Sequence, residues 1–148
     1  MIKRNKEECK CVYLSFPFKA EPKQSARFGK YGVYKDPKVK KYEQKLKLIA
    51  MNQLKDQPKI LKGAVYYDAV YTFLPPKSSP KWVLKAIEEG KTVYKSTKPD
   101  LTDNLNKGII DAVTPLFMNN DSQIAHCTIK KVYGKKESII ASFYELHQ

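Results

Sequence analysis

The sequence has no long apolar run, no glycine-rich loop and too few cysteines for a disulfide framework. Because no stretch approaches about 18 consecutive apolar residues, the chain is not expected to span a membrane. Residues 1–6 are mostly polar and lead into no apolar segment, so no signal peptide is expected. The six glycines are scattered, which argues against the phosphate-binding loop of nucleotide-driven motors. Three cysteines in 148 residues favour a reducing, cytoplasmic environment.

Acidic residues are scarce relative to basic ones, since 15 Asp and Glu stand against 28 Lys and Arg, for a formal net charge of +13. The imbalance is concentrated in residues 1–62, where 17 basic and 6 acidic residues give a net charge of +11. Residues 63–148 carry a net charge of only +2. A basic half of this kind is typical of proteins that bind phosphate backbones. A nucleic acid is therefore the predicted partner, and a lysine-rich surface that serves solubility is the alternative.

The spacing of apolar residues and breakers predicts one α+β domain over residues 1–148. Residues 1–10 are predicted to be a flexible polar tail, and residues 19–37 a loop. Strands are predicted at 12–18, 64–74, 124–133 and 137–144, and helices at 38–54, 81–89 and 101–113. Pro17 marks the first strand as an edge strand. The last two strands are predicted to form a hairpin around Gly134.

The acidic residues that could carry chemistry lie between residues 98 and 124. Within the helix predicted from residue 101, Asp103, Lys107 and Asp111 are spaced four residues apart and therefore share one face. Asp100 lies at the entrance of this helix, and Asp121 lies just before the next strand. If the two entrances meet in space, three carboxylates converge beside one lysine.

A cluster of carboxylates in so basic a molecule predicts a divalent cation. Carboxylates repel a phosphate unless a cation lies between them, and Mg²⁺ binds through one or two carboxylates plus substrate phosphate. Such an ion can activate water against a phosphodiester, and a nearby lysine can stabilise the charge that develops. The alternative is that Asp100 caps the helix, Asp103 pairs with Lys107 and Asp121 belongs to a turn. The spacing alone leaves both interpretations open.

Two segments, 98–107 and 120–124, resemble motifs of the RusA family of Holliday-junction resolvases. The first reads Lys-Pro-Asp-Leu-Thr-Asp-Asn-Leu-Asn-Lys and is followed by Asp111-Ala112, and the second reads Asn-Asp-Ser-Gln-Ile. Residues 23–42 are similar, more weakly, to the basic N-terminal part of phage members. The chain departs from the family pattern at two places. One extra residue separates the two aspartates of the first segment, and an asparagine begins the second segment where the family has an acid.

The resemblance implies a small α+β homodimer, with a mixed β-sheet packed against helices, that cuts four-way DNA junctions with Mg²⁺, or with Mn²⁺ as an alternative. By resemblance, Asp103 and Asp121 match metal-site aspartates, Asp100 matches the first aspartate, and Lys107 matches an essential lysine. Secondary candidates for the site are Asp111 and Asn120. The basic residues predicted to contact DNA are Arg27, Lys30, Lys35, Lys38, Lys40 and Lys41.

Two other functions stay open at this point. A basic nucleic-acid-binding protein without catalysis would show salt-sensitive binding and no Mg²⁺-dependent nicking. A nuclease for other branched DNA would cut flaps or forks in preference to four-way junctions. The resolvase, which we favour, is predicted to act in recombination and repair in the cytoplasm of a bacterial cell or a phage-infected host.

Overall fold

A computed structural model of the chain describes residues 10–22, 27–29, 32–34, 37–57 and 60–147. The described residues form one α+β domain, as predicted, in which helices pack on a mixed β-sheet. The strands are β1 (Cys11–Phe16), β2 (Arg27–Gly29), β3 (Gly32–Tyr34), β4 (Val65–Phe73), β5 (Val93–Tyr94), β6 (Ile124–Tyr133) and β7 (Ser138–Glu145). The helices are α1 (Pro37–Gln53), α2 (Lys81–Glu88) and α3 (Asn106–Val113).

Five strands form the main sheet in the order β1-β7-β4-β6-β5. Strand β4 pairs antiparallel with β7 and parallel with β6, so the sheet is mixed. Strand β1 pairs with β7 at one edge, which confirms the edge position predicted from Pro17. The predicted hairpin of β6 and β7 is wrong, because β4 lies between these two strands.

The connection between β6 and β7 passes over the end of β4. The backbone amide of Gly134 donates a hydrogen bond to the carbonyl oxygen of Phe73, at 2.9 Å. A Cβ atom at position 134 would lie 2.6 Å from Cγ2 of Thr72, so only glycine fits this close approach without a shift. The connection holds four residues, 134–137, enough to cross the roughly 10 Å that two strand spacings require.

The hydrophobic core lies between the sheet and helices α1 and α3. Alternate residues of β4 are buried, from Val65 to Phe73, which shows that one face of this strand is covered. Helix α1 contributes Tyr42, Leu46 and Ala50 to the same core. Helix α3 and the turn before it contribute Leu105, Ile109, Ala112 and Val113. Burial of this apolar stripe fixes which face of α3 turns outward.

The predicted elements agree with the structure to within one or two residues at most ends. The predicted loop 19–37 contains one exception, because β2 and β3 pair there as a small antiparallel ribbon. Most of the predicted tail, residues 1–9, lies outside the described residues. Helix α2 ends before Gly90, whose positive φ of 75° suits glycine, as predicted. None of the described helices has the length and apolar character needed to cross a bilayer.

Candidate active site

The entrance to α3 is a single π-helical turn, Leu101–Leu105, and Asp100 immediately precedes it. The backbone amide of Leu105 donates to the carbonyl oxygen of Asp100, at 3.1 Å, which closes this wide turn. The side chains of Asp100 and Asp103 are both exposed. Two carboxylates therefore face solvent at one helix entrance, where the positive end of the helix dipole stabilises their charge.

The structural alternatives for these two aspartates are not realised in the described part of the chain. The Asp100 carboxylate accepts no hydrogen bond from the first backbone amides of the helix, so it is not a cap. No ion pair within 4.0 Å joins Asp103 to Lys107 in the described structure. Lys107 is exposed one helical turn after Asp103. The three side chains are thus available to an external ligand.

A buried chain of hydroxyl groups holds the start of α3 against β4. The hydroxyl of Tyr71 donates to Oδ1 of Asn106, at 3.3 Å, and the hydroxyls of Tyr67 and Tyr71 lie 3.0 Å apart. Since Tyr71 has one proton to donate, Tyr67 is the donor between the two tyrosines. Burial raises the pKa of both tyrosines, so both keep their protons at any pH near neutrality. This chain of hydrogen bonds ends at Asn106, the residue that directly precedes Lys107.

We expect Tyr71→Phe to lower the free energy of unfolding by about 1–3 kcal/mol. The substitution removes the donor to Asn106 and leaves the Tyr67 hydroxyl without its acceptor inside the core. Chemical denaturation followed by circular dichroism measures the change. Tyr94→Phe is the matched control, because the Tyr94 side chain is 68% exposed and its loss should change stability by less than about 0.5 kcal/mol. Equal stability of the two variants would contradict a stabilising role for the hydrogen bonds of the Tyr71 hydroxyl.

The segment that leads to Asp100 is held by Lys131 of β6. The Lys131 ammonium donates to the carbonyl oxygens of Thr97, at 2.5 Å, and Pro99, at 2.7 Å. Lys95 donates to the Thr97 hydroxyl, at 2.7 Å. Desolvation and the charge of Lys95 lower the pKa of Lys131, and the Asp100 carboxylate partly opposes this shift. Sequence reasoning missed Lys131, because a lysine in a strand gave no signal of its contacts.

A second group of site candidates lies at the C-terminal end of α3 and in the turn that follows it. Asp111, Asn120 and Asp121 line an open cleft of about 650 Å³, together with Thr114 and Met118. Oδ1 of Asn120 accepts a hydrogen bond from the Ser122 amide, at 2.8 Å, so this side chain caps the 3-10 turn Asp121–Gln123. Asp121 is exposed beside it. Asn120 therefore positions the turn that carries Asp121.

Gln123 fastens this turn to the chain that enters β4. Its Oε1 atom accepts the backbone amides of Asn119 and Asn120, at 3.0 and 3.1 Å. Its Nε2 atom donates to the carbonyl oxygens of Leu61 and Gly63, at 3.1 and 2.9 Å. Every polar atom of the amide is used. The glutamine of the second motif thus has a structural role that its sequence position did not reveal.

The described residues of one chain do not bring the carboxylates of Asp100, Asp103 and Asp121 together at one metal ion, and the assignment of these three residues to a metal site stays a prediction. Asp100 lies near Lys131, toward the end of β6, whereas Asp121 lies just before Ile124, where β6 begins. Lys131 follows Ile124 by seven positions, which corresponds to about 23 Å of extended strand. In agreement, the described residues contain no group of three His, Cys, Asp or Glu side chains placed to hold one metal ion. The candidates form two groups, one at each end of α3.

The predicted DNA contacts are only partly described. Lys38, Lys40 and Lys41 are exposed in the first turns of α1, which contains no acidic residue in its first turn. The side chains of Arg27, Lys30 and Lys35 lie outside the described structure. Beside the start of α1 is a cavity of about 590 Å³, lined in part by Lys19, Lys38, Lys41 and Lys45 over an aromatic base of Phe18 and Tyr42. The described residues therefore include a strongly cationic surface at this end of α1.

Comparison with known protein families places this geometry in context. The family model described as "Endodeoxyribonuclease RusA" matches residues 17–141. The chain belongs to the RusA family. It is also 30% identical over 129 residues to "Uncharacterized protein YqaN" of Bacillus subtilis (strain 168), an alignment that covers 86% of this chain and 89% of that protein. Membership of the RusA family makes the chain an endodeoxyribonuclease.

The RusA resemblance also gives a meaning to the π-helical turn. The extra residue that separates Asp100 from Asp103 falls within Leu101–Leu105. A π-helical turn closes a hydrogen bond five residues apart instead of four, so it accommodates one additional residue without interrupting the helix. The helix that follows keeps its apolar stripe, including Ile109 and Ala112, on the core. A π-helical turn at this position would therefore absorb the extra residue that the resemblance implies, between the two aspartates.

Proposed function

We propose that the chain is a Mg²⁺-dependent endonuclease that resolves four-way DNA junctions by paired cuts. The observation that carries this proposal is a pair of exposed carboxylates, Asp100 and Asp103, beside Lys107 at the entrance of α3. Neither carboxylate is used to cap the helix. These groups belong to a RusA-family chain of net charge +13. A metal-dependent nuclease must bring the DNA phosphates close to its carboxylates. A basic surface that attracts the DNA, together with an acidic site that holds the cation, suits this requirement.

The side chains present fit a hard divalent cation. Asp100, Asp103 and Asp121 offer only carboxylate oxygens, and all three are exposed to solvent. Mg²⁺ selects such ligands and is commonly held by one or two carboxylates together with substrate phosphate, and Mn²⁺ accepts the same donors. When bound, the ion would supply a water of lowered pKa and a counter-charge for the leaving oxygen.

Two copies of the chain would complete each site. Asp100 and Asp103 lie at the start of α3 and Asp121 lies beyond its end, so one chain does not bring them together. A two-fold axis that pairs two chains in opposite directions would place the start of α3 of one chain beside Asp121 of the partner subunit. Such a homodimer has two identical sites, which matches the two cuts that junction resolution needs.

The basic side chains would have two roles, one at the reacting phosphate and one along the DNA backbone. Lys107 is exposed one turn after Asp103, where its ammonium would stabilise negative charge on the reacting phosphate. Lys38, Lys40 and Lys41 at the start of α1, with Arg27, Lys30 and Lys35, would bind backbone phosphates of the junction arms. Contacts of this kind give affinity and a steep salt dependence without reading sequence. The activity would serve DNA recombination and repair in the bacterial or phage-infected cytoplasm.

The proposal predicts that the protein cuts a four-way junction in the presence of Mg²⁺ and leaves a linear duplex of the same sequence intact. EDTA should abolish cleavage but not binding, and Mn²⁺ should restore cleavage. Denaturing gels with each strand labelled in turn measure the cuts, which should appear as symmetric pairs on opposite strands. Binding without any metal-dependent nicking would contradict the proposal. Faster cleavage of flaps or forks than of four-way junctions would contradict the assigned substrate.

A further inference from the structure

Lys131 contacts the segment before Asp100 at three points. Its own carbonyl oxygen accepts the Lys95 amide, at 2.9 Å, where β5 ends. Its ammonium then donates to the carbonyl oxygens of Thr97 and Pro99, so one side chain spans the three residues that precede Asp100. These two carbonyl groups lie outside any helix or strand of the described structure. Lys131 therefore supplies hydrogen bonds that regular secondary structure does not.

We propose that Lys131 is a positioning residue, which sets the direction of the Asp100 carboxylate by fixing the carbonyl groups of Thr97 and Pro99. The inference rests on the function proposed above, since it concerns how one of the metal-holding residues is presented. The backbone of Asp100 directly follows the carbonyl group that Lys131 holds. On the other side, Asp100 begins the π-helical turn through its hydrogen bond from Leu105. The residue is thus fixed from both directions, although its side chain is free to meet a ligand.

The location of Lys131 favours this role over that of an ordinary phosphate contact. Two of the three protons of its ammonium are directed at backbone oxygens, and the side chain is half-buried. Lys130, its neighbour in β6, is exposed and lies on the opposite face of the sheet, because successive strand residues alternate. The two lysines carry the same charge but only one of them contacts the Asp100 segment. They form a matched pair for an experiment.

The test compares Lys131→Met with Lys130→Met in single-turnover cleavage of a four-way junction over a range of Mg²⁺ concentrations. Residues that orient a metal ligand typically change metal affinity or activity by about 10- to 100-fold when removed. We expect Lys131→Met to raise the Mg²⁺ concentration for half-maximal cleavage by about that factor. Lys130→Met should leave it unchanged. Junction affinity in EDTA, and its dependence on salt, should be the same for both variants.

Two outcomes would overturn the inference. One is a Mg²⁺ dependence of Lys131→Met that equals that of Lys130→Met. The other is a change in the salt dependence of junction affinity. If its slope falls by about one in Lys131→Met alone, Lys131 is a phosphate contact. Thermal unfolding monitors the fold of each variant. Should Lys131→Met not fold, Lys131→Gln keeps a polar side chain one bond too short to hold both carbonyls, and the same Mg²⁺ shift is expected of it.

A double substitution separates this inference from the proposed function. If Lys131 acts only through Asp100, Lys131→Met should cause no further shift in the Mg²⁺ dependence of an Asp100→Asn protein, because the two effects are not additive. A normal Mg²⁺ dependence of Asp100→Asn alone would contradict the metal-holding role of Asp100, and thus the proposed site. If Asp100→Asn shifts the Mg²⁺ dependence of cleavage and Lys131→Met does not, the positioning role of Lys131 alone is overturned.

Discussion

Replacing either Asp103 or Asp121 with asparagine is expected to abolish junction cleavage and to leave junction binding intact or stronger. Each substitution removes one carboxylate from the proposed metal site and changes no more than one atom of the side chain. Loss of one preorganised electrostatic group typically costs about 10²–10³ in rate, and loss of a metal ligand should reach at least the upper value. Binding should not suffer, because one fewer negative charge faces the phosphates. Single-turnover cleavage and gel-shift titration in EDTA measure the two effects separately.

The control for both variants is Asp56→Asn, since Asp56 is an exposed carboxylate in the 3-10 turn after α1. It removes the same charge from another part of the molecule and should cleave at the wild-type rate. A loss of binding by Asp103→Asn, with a normal rate for the complex that does form, would remove Asp103 from the site. Normal cleavage by Asp121→Asn would do the same for Asp121. Equal defects in all three variants would indicate a general effect of charge instead of a local one.

The elements of the fold were largely predictable, because local patterns determine them. The alternation from Val65 to Phe73 gave the central strand, and the apolar spacing of Leu105, Ile109 and Ala112 gave the buried face of α3. Such patterns state which face of an element is covered and say nothing about which elements are neighbours. The wrong hairpin of β6 and β7 is the consequence. A short connection at Gly134 is compatible with a hairpin. It is equally compatible with β6 and β7 pairing on either side of β4, as they do in the structure.

The candidate site was predictable in its residue types but not in its arrangement. Aspartate and lysine at fixed spacing identified Asp103 and Lys107, which the structure leaves exposed at the start of α3. The distance between Asp100 and Asp121 depends on the length and direction of β6 and α3 together, which no local pattern contains. The contacts of Lys131 were hidden for the same reason. Its partners, Thr97 and Pro99, lie more than 30 residues earlier in the chain.

The extra residue between Asp100 and Asp103 shows how a departure from a motif can be read once the backbone is known. In the sequence, Asp-x-x-Asp stands where the family pattern has Asp-x-Asp, and Asp100 was open to two interpretations, a metal-site residue or a helix cap. In the structure the added residue lies within a π-helical turn, and the helix after it packs as its apolar spacing requires. Any effect of the added residue would therefore lie next to Asp100, whose direction Lys131 is proposed to set.

The proposed assembly of each site from two chains predicts a specific complementation. A heterodimer with Asp103→Asn in one chain and Asp121→Asn in the other would contain one site with both substitutions and one site with neither. This heterodimer should therefore nick a junction, although each parent homodimer is inactive. Its number of active sites is about half that of the wild-type dimer. Because only one site is intact, it should cut single strands and produce no paired resolution products. Heterodimers purified through two different affinity tags allow the measurement.

The negative control is a heterodimer of Asp100→Asn and Asp103→Asn chains. Both residues lie at the same end of α3, so each of its two sites carries one substitution and neither is intact. Nicking by the Asp103→Asn and Asp121→Asn pair, with none by the control pair, would follow only if Asp121 of the partner subunit serves the Asp103 site. If each chain held its own complete site, both heterodimers would be equally inactive. That result would require Asp103 and Asp121 to meet at one metal ion within a single chain, although the described residues contain no group of three such side chains placed to hold one.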